Sequence, residues 1–307
     1  MTGIFHRFLQ MTGVLLLMSL AVFMLIGLMP GDPVDLMLAG NPQMTPEDAA
    51  RLRTLYGLDQ PLFSRYTHWL ATALSGDMGY SRLYGQPVLS VIGPRLLNTL
   101  ALMGSALLFT VIAAIPLGIY AAHHKHTRRD AAINVATLAG LSAPPFWTGI
   151  MLIVFCAAQN NWLPASADMG NPVSLILPVV TMGLASLAVY TRHTRSAMVG
   201  ALKADHIRTA RAKGCSVPRT LWHHAFRNAA APVLTIFMLD LGVISGGAVT
   251  IETVFAFPGM GKLMFDAVMG NDYNLALAGF LVLTTLVLIA NFIADILYRY
   301  LDPRVRA

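Results

Sequence analysis

The chain has 307 residues, of which 56 % are hydrophobic and only 12 % are charged. A soluble protein usually carries about 25 % charged residues, so this composition excludes an ordinary soluble domain and indicates a chain embedded in lipid. The net charge of +6 would suggest nucleic-acid binding in a soluble protein. In a membrane protein the same charge reports on topology, and no nucleic-acid partner is predicted.

Six apolar runs are long enough to cross a bilayer, which takes about 20 helical residues. The first run has no small-x-small cleavage site and is followed by Pro30–Pro33 (PGDP), so it is predicted to be a retained span. The predicted fold class is therefore an all-α polytopic membrane protein with six transmembrane helices. The six runs are Leu9–Leu28, Leu97–Ala122, Ala131–Ala158, Pro172–Thr191, Ala229–Thr250 and Asn274–Tyr298.

The distribution of Lys and Arg among the loops predicts the orientation of these spans. With the N-terminus inside, the cytoplasmic segments hold 15 of the 21 Lys and Arg residues. Positive residues accumulate in cytoplasmic loops, so both termini are predicted to be cytoplasmic. Cys156 and Cys215 then fall in different compartments, and neither a disulfide nor a cysteine metal site is predicted.

The segment between the first two spans contains two predicted helices. Thr45–Asp48 (TPED) supplies an N-cap residue, a proline at the first helical position and two acids in the first turn, which predicts a helix through Tyr56. A second, amphipathic run, Leu62–Leu74, carries Tyr66 and Trp69. These aromatic residues are interpreted either as interfacial membrane anchors or as contacts with a partner protein.

The longest polar interruption in the C-terminal two-thirds of the chain runs from Asp205 to Pro232 and is strongly basic. Gly214 lies near its centre and can adopt the left-handed conformation that ends a helix. Ser216 followed by Pro218 suits the start of a second helix. The sequence predicts a helix–Gly–helix hairpin, for which a plain positive-inside anchor is the simplest interpretation.

Motifs for enzymatic chemistry are absent from the sequence. Gly261-Lys262 is followed by Leu263 and lacks the upstream glycine of a phosphate-binding loop, and neither H-E-x-x-H nor G-x-S-x-G occurs. The chain is therefore not expected to be an enzyme or to hydrolyse ATP by itself. The histidines of His123–His126 invite a metal interpretation, but a solvated basic turn is favoured and no metal site is predicted.

Ionisable groups within the spans are the stronger functional signal, because burying a charge in the membrane is costly. Asp240 lies in the fifth span, Glu252 at its outer end and Asp295 in the sixth span, with Asn291 one turn earlier. These four residues are candidates for the solute pathway. A structural alternative remains open, in which Asp295 and Asn291 clamp helices and Asp240 bonds to Asn291 or Asn98.

Four motifs together, TARAKG, HAFRNAAAP, GGAVTIETVF and PGMGKL, resemble the membrane permeases of binding-protein-dependent ABC importers, in the dipeptide/oligopeptide/nickel branch. The resemblance extends from PGDP near the N-terminus to LDPRVR at the C-terminus. The chain departs from the generic EAA pattern, since Arg208, Thr209 and Ala210 stand where Glu-Ala-Ala would be. These departures are usual in the peptide branch and narrow the resemblance to it.

The resemblance implies three regions: a transmembrane helix added at 1–29, an extracytoplasmic segment at 30–96 and an importer permease core at 97–307. It also implies a cytoplasmic coupling loop at 192–228 that inserts into a cleft of a separate ATPase subunit, with Ala210 facing that cleft closely. The implied ATPase-coupling residues are Arg208, Thr209, Ala210, Arg211, Ala212, Lys213 and Gly214.

The resemblance further implies the function and the partners. The chain would be the permease subunit of an ATP-driven importer in the bacterial inner membrane, forming the path for peptides or for nickel and metallophore complexes. Its partners would be a second, different permease subunit, two ATPase subunits that bind ATP and Mg, and an extracytoplasmic solute-binding protein, so that no cofactor is bound by this chain. An ATPase-independent channel or secondary transporter, or a membrane scaffold or sensor, would have no need of the TARAKG loop.

Overall fold

The computed structural model describes residues 2–27, 45–55 and 59–301, most of which are helical. Pro30–Pro33 and residues 302–307 lie outside this part of the chain. The elements are α1 (Thr2–Gly27), α2 (Pro46–Leu55), α3 (Leu62–Leu74), β1 (Tyr80–Ser81), β2 (Gln86–Pro87), α4 (Val88–His123), α5 (Arg128–Ser142), α6 (Pro145–Leu152), π-helical Ile153–Gln159, 3₁₀-helical Pro172–Leu175, α7 (Ile176–Ala201), α8 (Asp205–Ala212), a helical turn (Val217–Arg219), π-helical Thr220–Ala225, α9 (Phe226–Val254), α10 (Met260–Met269) and α11 (Tyr273–Leu301).

The predicted polytopic helical class is confirmed by the long apolar helices. Within the described residues, four helices are long and apolar enough to cross a membrane, or five if one bent pair counts as a single span. The fifth predicted span lies inside the 29-residue helix α9. Only 6 % of the apolar window of α1 is buried in this chain, against 44 % for the span ending in α7. The exact number of spans stays a prediction.

The third predicted span is not one straight helix. It consists of α5 and α6 with its π-helical continuation, and the two parts are bent by 101°. Ala143 between them is extended, with φ −83° and ψ 128°. The following residue, Pro144, disfavours helical geometry in the residue before it and has no N–H to donate. The bend is therefore caused by the proline pair.

The predicted start of α2 is observed with its capping hydrogen bonds. The Thr45 N–H donates to Asp48 Oδ2 at 3.1 Å, and the Asp48 N–H donates to Thr45 Oγ1 at 3.2 Å. This reciprocal arrangement is a capping box. The hydrogen bonds from the Thr45 side chain and backbone lower the pKa of Asp48. The predicted end of the helix at Tyr56 lies outside the described residues.

The chain forms two compact units, of which the first comprises Met1–Pro94 and Leu263–Leu286 and the second comprises Arg95–Lys262 and Val287–Ala307. In the first unit, α3 packs against α1. Tyr66 is only 6 % exposed, because its hydroxyl lies 2.9 Å from Ser19 Oγ and its ring meets Phe23 edge-on at 5.6 Å. The structure therefore buries Tyr66 within this chain, which neither sequence interpretation anticipated.

The buried carboxylate of Asp272 connects the β1–β2 hairpin to α11 in the first unit. Asp272 Oδ2 accepts hydrogen bonds from Ser81 Oγ at 2.6 Å and from the Leu83 N–H at 3.0 Å. Asp272 Oδ1 accepts from the Leu275 N–H at 3.2 Å. One side chain thus caps the first turn of α11 and fastens the β1–β2 hairpin to it.

In the second unit, α4 and α7 approach each other closely at glycines. A Cβ on Gly118 would lie 2.6 Å from Thr194 Cβ and 2.8 Å from the Thr191 carbonyl. Thr110 Oγ1 donates to the Gly183 carbonyl at 3.1 Å, which ties the two helices together again. Small residues permit such contacts between membrane helices. A buried cluster lies beside this interface and comprises Leu102, Ala106, Ala167, Leu177, Met182, Ala248, Ile251, Phe255 and Phe257.

Candidate functional site

The basic loop after α7 folds as the predicted helix–Gly–helix hairpin. Gly214 has a φ of +75°. Its N–H donates to the Arg211 carbonyl at 2.9 Å, and the Cys215 N–H donates to the Ala210 carbonyl at 3.1 Å. This pair of bonds is the Schellman motif, which satisfies the last carbonyls of α8 and turns the chain. The prediction of a positive φ at Gly214 is confirmed.

The chain after Gly214 restarts at Ser216, as predicted from the sequence. Ser216 is extended, with φ −63° and ψ 154°, and Pro218 lies in the following helical turn. The Ser216 carbonyl accepts the Thr220 N–H at 2.9 Å. The π-helical residues Thr220–Ala225 then lead directly into α9. The hairpin is thus continuous with the long helix α9 at its C-terminal end.

The hairpin is packed firmly against the ends of the membrane helices. Ile207 of α8 is 1 % exposed and belongs to a buried cluster with residues of α4, α7 and α9. At the surface, His206 Nε2 lies 2.9 Å from Asn228 Nδ2, which joins α8 to the first turn of α9. A displacement of α8 is therefore expected to move these helix ends. The cluster comprises Ile119, Ala122, Met198, Ile207, Leu221, Ala225 and Ala229.

Most of the predicted ATPase-coupling residues share the exposed side of this hairpin. Ala210 is the exception, since it is only 7 % exposed. Ala210 follows Ile207 by three residues and so lies on the same helix face, which packs inward. The contact of Ala210 with an ATPase cleft stays a prediction. The exposed members of the set are Arg208, Thr209, Arg211, Ala212, Lys213 and Gly214.

Among the described residues, little negative charge lies against the positive charges of the exposed face. Arg208 Nη1 lies 3.7 Å from Asp205 Oδ1, but the two side chains are 81 % and 97 % exposed. Such exposed pairs contribute little stability, on the order of 0–1 kcal/mol. Arg211, Lys213 and Arg219 are exposed as well. The face therefore suits a partner surface of negative charge.

Glu252, a predicted pathway candidate, is fully buried with a relative exposure of 0 %. Its Oε1 accepts a hydrogen bond from Thr99 Oγ1 at 2.5 Å, and its Oε2 accepts from the Lys262 N–H at 3.0 Å. Thr99 Oγ1 in turn accepts the Met260 N–H at 2.8 Å. The carboxylate thereby fastens the first turn of α10 to α4, and it is not accessible to a solute in this conformation.

The PGMGKL turn is shaped to fit around this carboxylate. A Cβ on Gly259 would overlap the Glu252 carboxyl group, and a Cβ on Gly261 would overlap the backbone of Val249. Asn98 Nδ2 donates to the Pro258 carbonyl at 2.8 Å. The glycines of the motif are therefore required by close approach, and the Asn98 amide is engaged with the turn.

The structure describes the side chain of only one of the other three pathway candidates. The side chains of Asp240 and Asp295 lie outside the described residues, and Asn291 is exposed on α11. The clamp and pathway interpretations of these three residues stay predictions.

Sequence reasoning missed a partly buried ion pair at the start of α5. Arg195 of α7 donates from Nε to Asp130 Oδ1 and from Nη2 to Asp130 Oδ2, both at 2.6 Å. The two residues are 65 positions apart, and no local pattern connects them.

The histidines do not assemble a metal site in the part of the chain that the structure describes, where no group of three or more His, Cys, Asp or Glu residues could hold an ion. His124 Nδ1 lies 3.0 Å from the Tyr120 carbonyl and its Nε2 lies 3.2 Å from Arg129 Nη1. His224 Nε2 lies 3.9 Å from Cys215 Sγ. The rings of His124 and His224 thus lie against neighbouring groups of their own loops.

The chain is similar to known transport proteins over nearly its whole length. Residues 114–307 match the binding-protein-dependent transport system inner membrane component family, and residues 1–103 match the N-terminal domain of such membrane components. The chain is 36 % identical to the oligopeptide transport system permease protein AppB of Bacillus subtilis over 98 % of both chains. It is 36 % identical to the di/tripeptide transport system permease protein DppB of Pseudomonas aeruginosa, and 35 % identical to the dipeptide transport system permease protein DppB of Escherichia coli, over 94 % of each chain.

These matches cover the apolar helices, the basic hairpin and the Glu252 turn together. The resemblance inferred from the four motifs is thereby confirmed. The chain belongs to the family of binding-protein-dependent transport system inner membrane components, which are polytopic membrane permeases.

Proposed function

We propose that the chain is the permease subunit of an ATP-driven peptide importer, and that α8 is the element through which ATP hydrolysis acts on it. The observation that carries this proposal is the basic hairpin of α8, which is exposed on one face and packed on the other against the ends of α4, α7 and α9. A plain charged anchor would need neither the Schellman turn at Gly214 nor this buried attachment.

The mechanism requires partners that supply energy and solute. Two ATPase subunits, which bind ATP and Mg, would engage this hairpin and its counterpart on a second, different permease subunit. An extracytoplasmic solute-binding protein would deliver the solute to a path formed by the two permeases in the bacterial inner membrane. Closure of the ATPases would bias a helix bundle between two states, which is the physical basis of alternating access.

Peptides are the proposed solutes because the three relatives described above are named for oligopeptide, di/tripeptide and dipeptide transport. Nickel and metallophore complexes are the alternative within the same branch. An ATPase-independent channel or secondary transporter is the alternative outside it, but that class gives the basic hairpin no role.

Reconstitution tests the proposal directly. The tagged chain would be purified in mild detergent with the subunits that accompany it and placed in proteoliposomes with its binding protein. Labelled di-, tri- and pentapeptides and ⁶³Ni²⁺ would then be offered with ATP, without ATP, or with a non-hydrolysable analogue. ATP-dependent peptide uptake is the expected result. Uptake that proceeds equally without ATP, or purification without any ATPase subunit, would overturn the proposal.

A further inference from the structure

Asp130 is held by four hydrogen bonds at the start of α5. Besides the two bonds from Arg195, it accepts the His126 N–H at 3.1 Å and Asn134 Nδ2 at 2.8 Å. Asp130 itself is 4 % exposed. Parallel bonds from a guanidinium to a carboxylate fix both the distance and the orientation of the two groups. The pair is therefore a rigid connection between α5 and α7.

Few side chains of α5 are buried, although the helix packs along α7. Of its 15 residues only Asp130 and Thr137 are buried. The Thr137 hydroxyl bonds back to the carbonyl of Ile133 in the same helix, at 2.9 Å. The apolar side chains Val135 and Leu138 are 68 % and 50 % exposed. The two bonds from Arg195 thus add a directed polar connection between the start of α5 and the helix α7, along which it packs.

Arg195 lies on the part of α7 that leads into α8. It precedes the last residue of α7, Ala201, by less than two helical turns. Met198, between them, is fully buried in the same cluster as Ile207 of α8. A shift of α8 would therefore carry the end of α7, and Arg195 with it.

The helix beyond the bend, α6, packs against other residues than α5 does. A Cβ on Gly149 of α6 would lie 3.2 Å from the ring of Phe255 and 3.4 Å from Thr181 Cγ2, so the backbone of α6 packs tightly against α7 and the end of α9. Between α6 and α5 stand Ala143 and Pro144, where the direction changes by 101°. Element-terminal residues of this kind can absorb the dihedral changes of a hinge.

We propose that the Asp130–Arg195 pair transmits the movement of α8 to α5, which turns about Ala143–Pro144 while α6 stays with the buried core. Arg195 and Asp130 are positioning residues in this scheme, because they couple elements and touch no solute. The inference rests on the proposed function, since the movement of α8 is attributed to the ATPases.

The test uses the complete transporter in proteoliposomes and, as probe, the peptide that the wild-type complex takes up best. Asp130→Asn removes the charge of the pair but keeps the size of the side chain. It is expected to leave ATP hydrolysis unchanged while the peptide taken up per ATP falls about tenfold, a typical size for a lost coupling. Arg128→Gln, which removes an exposed charge from the same helical turn, is the matched control and is expected to transport normally.

Amide hydrogen exchange distinguishes coupling by the Asp130–Arg195 pair from a purely structural role, because only coupling makes exchange in α5 respond to the ATP state. In the wild-type complex, trapping the ATP state is expected to change exchange in α8 and α5 together. In Asp130→Asn the change in α8 is expected to persist and the change in α5 to disappear. If Asp130→Asn does not assemble, Arg195→Lys keeps the charge but loses the bidentate geometry, and the same loss of correlated exchange is expected of it.

Three results would overturn the inference: normal uptake per ATP in the variants, retention of the correlated exchange in α5, or parallel loss of ATP hydrolysis and uptake in an intact complex. A wild-type complex without ATP-dependent peptide uptake would refute the proposed function itself. The two failures are therefore distinguishable.

Discussion

Gly214 is the residue on which the geometry of the basic hairpin depends most directly. Its φ of +75° lies in the left-handed region, and no atom lies within 4 Å of the place where a Cβ would be. A substitution there meets no steric obstacle from the surroundings, so its cost comes from the backbone alone. For an ordinary L-residue that cost is about 1–2 kcal/mol, and a β-branched side chain is among the worst cases.

Replacing Gly214 by Val is therefore expected to displace the end of α8 while leaving the membrane helices intact. Peptide uptake and stimulated ATP hydrolysis should be lost, and membrane insertion should be normal by quantitative immunoblotting. Gly200→Val is the matched control, because Gly200 also has open space at its Cβ position but lies inside α7. A Gly214→Val permease that transports normally would reduce the hairpin to a membrane anchor.

Glu252 allows a second prediction at this scale, since the geometry favours a structural clamp over a pathway role. The Thr99 hydroxyl and the Lys262 N–H each donate to one oxygen of Glu252. Glu252→Gln replaces one of these acceptor oxygens by an NH₂ group, so one of the two donors loses its acceptor. Leaving a buried donor unsatisfied costs about 1–3 kcal/mol. The purified permease should therefore unfold at a lower temperature, while its relative uptake of cationic and neutral peptides stays the same. An unchanged unfolding temperature together with an altered peptide preference would instead indicate that Glu252 lines the solute pathway.

At the scale of elements, the sequence predicted those helix boundaries that depend on residues close together along the chain. The bounds of α3 at Leu62–Leu74 follow from amphipathic spacing, and the start of α2 follows from its capping box. The end of α8 follows from Gly214. The sequence did not predict α10 or the β1–β2 hairpin, because both are fixed by partners far away along the chain. Thr99 and Glu252, for example, are 153 residues apart.

The β1–β2 hairpin offers a prediction that separates two roles of one side chain. Asp272→Ala removes both the cap of α11, worth about 0.5–2 kcal/mol, and the bonds to Ser81 and Leu83. Ser81→Ala removes only a hairpin contact and leaves the Leu275 N–H bonded to Asp272. Hydrogen exchange is therefore expected to rise in the hairpin for both variants and in the first turn of α11 only for Asp272→Ala. Equal protection of the hairpin in all three proteins would contradict this account.

At the scale of the whole molecule, the charge distribution and the bent pair of helices constrain the topology together. Eight of the basic residues lie between Arg192 and Arg227. If α5 and α6 entered and left the membrane on the same side, every later loop would change sides. The hairpin of α8 would then lie outside, against the preference of Lys and Arg for the cytoplasm. The bent pair is therefore predicted to cross the membrane as one broken span.

Reporter fusions test this topology at positions chosen from the structure. A fusion after Gly170, in the exposed loop beyond α6, is expected to be active only outside the cytoplasm. A fusion after Ala307 should be active only inside, and a fusion at Gly85, in the exposed turn of the β1–β2 hairpin, serves as the external control. Because the bent pair either crosses or returns, the Gly170 and Ala307 reporters should always lie on opposite sides. A cytoplasmic signal at Gly170 with an external signal at Ala307 would make the pair re-entrant and reduce the six predicted spans to five.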